Sequence, residues 1–181
     1  QIDSANTYSQ VATGDLHSCA ITTSGILKCW GYNDYGRLGD GTTTARSLPT
    51  VIDPGFSYDQ VSVGIYHSCG ITTLGVLKCW GYNALGRLGD GSTTDRWSPV
   101  IIEWGTSFKA VSAAQNHTCA ITTTGALKCW GYNERGILGD GTTENRLSPK
   151  TIDLEVNDSQ VSTGVTHTCG ITTSGVAKCW G

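Results

Sequence analysis

Methionine is missing from this sequence altogether, and phenylalanine occurs only twice. A chain without methionine is not a primary translation product as written, so a processed chain or a piece of a longer one is expected. Long apolar runs are missing too. No stretch approaches the roughly 20 residues that span a bilayer as a helix, and no secretory leader is recognisable. Charge is sparse, at 15% of residues, and mixed, with Lys+Arg 12 against Asp+Glu 15 for a net charge of −3. The lack of a basic patch or stripe argues against a nucleic-acid surface, and no nucleic-acid partner is expected. No window keeps a 3.6-residue apolar period over three turns, so no helix is predicted. No nucleophile, base or carboxylate pair stands at a spacing that would meet in space, which leaves an enzyme reading without residues. No cofactor and no membrane insertion are called for.

What the chain does have is repetition. The stretch HSCAITTSGILKCWG begins at His17, and close copies begin at His67, His117 and His167. An unbroken period of this size marks a repeat architecture in which one supersecondary unit is copied and stacked. Within a copy, Ile21, Thr22 and Thr23 favour extended structure, and Gly25 suits the left-handed position of a bulged turn. Counting outward from that turn, Ile21 faces Leu27 and Cys19 faces Cys29 on one face of a hairpin.

That register accounts for the eight cysteines. Opposed residues of an antiparallel pair sit about 4.5–5.5 Å apart at Cα, close enough for a disulfide. The predicted bridges are Cys19–Cys29, Cys69–Cys79, Cys119–Cys129 and Cys169–Cys179. Structural zinc favours close C-x2-C pairs rather than C-x9-C across a hairpin. Free thiols of a cytosolic protein are the other reading, but no cysteine is left over. Bridges of this length contribute roughly 2–3 kcal/mol each in the chain-entropy model. They imply an oxidising compartment, secreted, on the cell surface or periplasmic.

Each unit reads as strands near Val11, Val61, Val111 and Val161, then the two hairpin strands, a long glycine-rich segment, and a last strand around Val51-Ile52, Ile101-Ile102 and Thr151-Ile152. Four short strands per unit is the pattern of a propeller blade. An all-β β-propeller of about 3.6 blades is therefore predicted, as one repeat domain over 1–181. Residues 1–10 read as the tail strand of a preceding blade, 11–60, 61–110 and 111–160 as full repeats, and 161–181 as a partial one. The N-terminal tail and the truncated last unit look like complementary fragments of one blade. From this, either a longer parent protein or pairing of the ends with a neighbouring copy is expected.

The G-x-x-H-[ST]-x-[AG] stretch, the W-G-x-N-x-x-G-x-L-G-D-G-[ST] stretch and the proline near the end of each unit resemble the repeats of the regulator of chromosome condensation family. The likeness covers the whole chain and implies a β-propeller, usually of seven blades. The cysteine pair in every hairpin departs from the intracellular members, and with it from their nuclear and nucleotide-exchange roles. Some extracellular propellers of this family inhibit enzymes, including a β-lactamase inhibitor, so an inhibitor role follows from the resemblance alone.

Several recurring residues invite a chemical reading. His17, His67, His117 and His167 share one position and are read as structural, bonded to neighbouring backbone rather than forming a metal ring. Asp40, Asp90 and Asp140 precede glycine, which is turn chemistry rather than a calcium set of six to eight oxygens. The glycines lack the lysine and helix of a phosphate loop. Trp30, Trp80, Trp130 and Trp180 are read as inter-blade packing. Lys28, Lys78, Lys128 and Lys178 are read as satisfied polar positions without an assigned partner. Asn116-His117-Thr118 and Asn157-Asp158-Ser159 match the glycosylation acceptor.

Function is sought where the copies differ. The loop after the first strand varies at Leu16, Ile65, Tyr66 and Gln115, and the long segment at Tyr35, Leu85, Arg135, Trp97 and Leu147. In an up-and-down blade those two loops lie at one end, opposite the TT-x-G turns. Exposed aromatic and arginine side chains there suit a protein partner. The predicted function is a non-enzymatic extracellular binding scaffold. A structural subunit that closes or polymerises through its ends is the second reading, ahead of an inhibitor or exchange-like role.

Overall fold

A computed structural model describes residues 3–152 and 157–181. The first blade comprises β1 (Tyr8–Thr13), β2 (His17–Thr22), β3 (Leu27–Gly31) and β4 (Arg46–Val51). The second comprises β5 (Tyr58–Val63), β6 (His67–Thr72), β7 (Leu77–Gly81) and β8 (Arg96–Ile101). The third comprises β9 (Phe108–Ala113), β10 (His117–Thr122), β11 (Leu127–Gly131) and β12 (Arg146–Thr151). The fourth has three strands, β13 (Asp158–Thr163), β14 (Thr168–Thr172) and β15 (Ala177–Trp180). Every sheet is an antiparallel meander in chain order. Blades begin a few residues before the predicted starts, so residues 8–10 belong to β1 rather than to a tail strand. Gln1 and Ile2, on which the reading of complementary ends depends, lie outside the described residues.

The hairpin register is the predicted one. Ile21 pairs with Leu27 and Cys19 with Cys29. Gly25 adopts φ 84° at the turn, in the left-handed region open to glycine. All four disulfides are formed, each with Cα atoms 4.1 Å apart.

Blades pack in chain order, inner strand on inner strand, and form an open arc. Gly14 and Gly64 permit the approach: a Cβ on either would come 2.2 Å from the carbonyl of Gly64 or Ala114 on the next blade. Burial follows from having a neighbour. Val61 and Val111 are 2% and 6% exposed between blades, whereas the equivalent Val11, at the start of the arc, is 64% exposed. The core is accordingly a series of inter-blade clusters. One holds Cys19, Ile21 and Leu27 of the first blade with Tyr58, Val61 and Trp80 of the second.

Candidate functional site

The recurring polar residues turn out to be bolts between blades. His17 Nε2 lies 2.8 Å from Ser68 Oγ on the next blade, and Ser68 Oγ donates to the Arg37 carbonyl at 2.9 Å. A hydroxyl has one proton to give, so His17 must donate from Nε2. The same relay runs from His67 through Thr118 to Arg87, and from His117 through Thr168 to Ile137. His17, His67 and His117 thus bond a hydroxyl on the following blade, not a backbone group. Burial pushes His17 down to about 3 and His117 to about 4, and holds His67 well below the ordinary histidine value. All three are neutral at pH 7.

The lysines find partners 25 positions earlier. Lys28 bonds Asp3 at 2.7 Å, Lys78 bonds Asp53 at 2.6 Å, and Lys128 bonds Glu103. An acid after the isoleucine that ends each unit was the sequence signal for this pairing. Asp40 Oδ1 takes protons from Thr42 and Asn33, and its Oδ2 from Arg46. Asp90 and Asp140 are occupied in the same way. Burial alone would raise Asp140, but the Thr142 and Arg146 hydrogen bonds outweigh it and bring the carboxyl to about 2. These oxygens close a turn. Trp80 and Trp130 are fully buried, seated under Gly39 and Gly89 of the preceding blade.

With the bolts accounted for, the varying positions stand apart at one end of the blades. The amides of Tyr32, Tyr82 and Tyr132 donate to the carbonyls of Leu16, Tyr66 and Asn116. The loop after each first strand is therefore stitched to the start of each long segment, on one face. The TT-x-G turns are stitched to the opposite end, where Tyr58 N donates to Gly25 O.

On the variable face, the first two blade junctions carry a cluster of tyrosine and arginine. Tyr35 packs against Tyr82 with centroids 4.5 Å apart and the rings tilted by 38°, and Tyr66 meets Tyr82 edge-on at 5.9 Å. The Arg37 guanidinium lies 5.4 Å from the centroids of both Tyr32 and Tyr66, and Arg87 lies 4.6 Å from Tyr82 and 5.6 Å from Tyr66. Both arginines are buried, and each reaches across a junction. Arg37 Nη1 donates to Ile65 O at 3.0 Å, and Arg87 Nη1 to Gln115 O at 2.8 Å. Neither forms an ion pair among the described residues. Burial lowers Arg87 to about 10, so it stays charged at pH 7.

Of the candidate residues, the structure brings Tyr35, Tyr66 and Trp97 together. Trp97 packs over Gly36, beside Tyr35, and remains 52% exposed. Ile65 and Gln115 contribute carbonyls to the arginines. Leu147 packs over Gly86, next to Leu85, in the same arrangement one blade on. Leu16 and Arg135 are exposed on the first and third blades, outside the cluster. Arg37, Arg87, Tyr32 and Tyr82 were missed. The signal was the replacement of Arg37 and Arg87 by Ile137 at the third copy.

No group of three or more metal-ligating side chains exists among the described residues. The arrangement is a set of antiparallel blades bolted side by side, presenting an aromatic surface at one end. This defines a repeat scaffold of the β-propeller class. The regulator of chromosome condensation (RCC1) repeat is matched at residues 24–71, 75–121 and 124–171, and a second form of the repeat at 8–37, 58–87 and 108–137. The chain belongs to that family. It is 50% identical over 42 residues to the human E3 ubiquitin-protein ligase HERC2, a stretch covering 23% of this chain and 1% of that protein. Among solved structures it resembles human WBSCR16, with a TM-score of 0.87 and 22% identity over 99% of this chain and 48% of that one. It also resembles Prp20p of Saccharomyces cerevisiae, reported with its binding to Gsp1p and histones, with a TM-score of 0.81 and 20% identity over 90% and 43% of the two chains. The chain thus spans under half the length of these solved relatives.

Proposed function

We propose that this chain is a non-catalytic protein-binding scaffold, and that the variable face at the first two blade junctions is its recognition surface. The observation that carries the reading is the tyrosine–arginine cluster. Aromatic and arginine side chains dominate interface energetics because they cover large area at small entropic cost. Tyr32, Tyr35 and Trp97 are all about half exposed, while the arginines beneath hold the rings from the far side. Protein partners of family members such as Prp20p support a protein partner here as well. The four bridges support an oxidising compartment, because such disulfides persist outside the reducing cytosol.

The test is photo-crosslinking from position 35 in oxidised extract, followed by binding of the purified captured partner. Tyr35→Ala and Trp97→Ala should each weaken that complex roughly tenfold, in the range of interface anchors. Their thermal stability should stay within about 0.5 kcal/mol, as for surface changes. Binding indifferent to both substitutions would overturn the assignment of the face.

A further inference from the structure

The opposite end of the blades departs from its own repeat in one place. The residue between threonine and glycine in the hairpin turn is Ser24, Thr124 or Ser174 in three blades, and Leu74 in the second. Leu74 is 80% exposed. The loop after β8 adds Trp104, 83% exposed, at the tip of a turn closed by Thr106 N donating to Glu103 O. Both belong to the same end, because Phe108 N at the base of that loop donates to Gly75 O at 2.9 Å. Two large apolar side chains thus stand in solvent at this end of the blades.

Beside Leu74, between the second and third blades, runs a groove of about 410 Å³ lined by Ile71, Leu74 and Phe108 among others. The corresponding groove between the first and second blades is lined by Ser9, Ser24, Tyr58 and Asp59 among others. Both grooves carry hydroxyls, but Leu74 and Phe108 stand in the second where Ser24 and Tyr58 stand in the first, which makes the second more apolar. Its walls also carry opposite charges. Asp59 stands on β5 and Lys109 on β9, both exposed, and neither joins an ion pair among the described residues. The equivalent positions in the outer blades are Ser9 and Ser159, so this groove alone has a charge on both walls.

We propose that this groove docks an extended segment of a partner protein that presents one large apolar side chain between a basic and an acidic residue. The apolar side chain covers Leu74 and the exposed edge of the groove. The basic residue faces Asp59 and the acidic one faces Lys109. A ligand of a single charge sign, such as a nucleic acid or an anionic membrane, satisfies one wall and is repelled by the other. The surface is distinct from the variable face, so the two assignments stand or fall separately.

The probe is a labelled heptapeptide, Ala-Lys-Ala-Trp-Ala-Glu-Ala, titrated with the whole chain and followed by fluorescence anisotropy. Saturable binding is expected, weakened roughly tenfold when serine replaces the peptide tryptophan. Leu74→Ser should weaken it similarly. Serine already occupies that turn in two blades, and a thermal melt verifies folding. Asp59→Lys should reverse the preference, so that an otherwise identical peptide with two glutamates binds better than the mixed one. Tyr35→Ala should leave all of this unchanged. The proposal is overturned if the mixed peptide does not bind at millimolar concentration, if all-acidic or all-basic peptides bind wild type equally well, or if Leu74→Ser has no effect. It is also overturned if light scattering shows self-association that Leu74→Ser abolishes, since a second copy would then be the occupant.

Discussion

The junctions joining the first three blades differ from the one joining the third blade to the fourth. In the first two, Gln10 and Gln60 extend their amides to the backbone of the next inner strand, at Val61 and Val111. Arg37 and Arg87 reach across to loop carbonyls, and Tyr58 and Phe108 fill the inter-blade core. The third junction has Ala110, Ile137 and Asp158 at those places, and a cavity of about 190 Å³ opens among Leu127, Ile152, Asp158 and Trp180. The histidine–hydroxyl relay and the tryptophan-over-glycine contact are present at all three. Two kinds of contact are therefore layered at each junction. The relay and the buried indole recur at every junction, whereas the arginine and glutamine contacts are confined to the first two.

That division can be broken most forcefully at the indole. Trp130→Ala empties a fully buried site and is predicted to cost about 3–5 kcal/mol. Trp30→Ala, on the half-covered side of the first blade, should cost less than half as much in urea melts. Equal losses would show that stacking on the preceding blade is not what stabilises the position. Next in size is a bridge. Replacing Cys119 and Cys129 together by serine should cost roughly 2–3 kcal/mol and leave the other three bridges intact in non-reducing peptide maps.

The relay sets a pH dependence. His17 and His117 are held at about 3 and about 4 when folded, against an unfolded value near 6.5. The unfolded chain therefore binds more protons between those limits, and stability falls as pH is lowered from about 6.5 towards 4. The loss approaches about 1.4 kcal/mol per pH unit for each buried histidine. Above pH 7 the stability is fully present. His117→Gln should flatten the slope of melts taken between pH 7 and 5, and an unchanged slope would remove the histidines from the linkage. The smallest effect is expected at Arg87→Ile, which converts the second junction to the chemistry of the third. It removes a buried charge together with its hydrogen bond to Gln115, so stability should change by less than about 1.5 kcal/mol. Tyr66 and Tyr82 lose their support, and NMR should show their rings more mobile, whereas Ile137→Ala should leave those tyrosines untouched.

Much of this is legible in the sequence. The cysteine register followed from the position of Gly25 and the strict alternation of a strand, and it holds in all four hairpins. The separation of the two loop ends followed from meander topology. Local periodicity could not reveal partners that lie in other blades. Lys78 looked merely polar because Asp53 is distant in sequence, and His67 looked bonded to backbone because Thr118 lies one blade further on. Arg37 and Arg87 read as ordinary members of a glycine-rich loop, since only packing buries them among tyrosines.

By itself, then, the sequence determined the unit: the hairpin, its bridge, the four-stranded blade and its period. Each depends on residues within one copy, where turn chemistry and side-chain alternation act over short chain distances. Tertiary structure alone decided what happens between copies. It placed Asp3 on Lys28 and turned His17, His67 and His117 into three relays, each reaching a hydroxyl on the next blade. It also set Leu74 in solvent beside a groove with opposite charges on its walls. Residues at equivalent positions have different environments here because burial, unlike turn propensity, depends on which blade stands next to them.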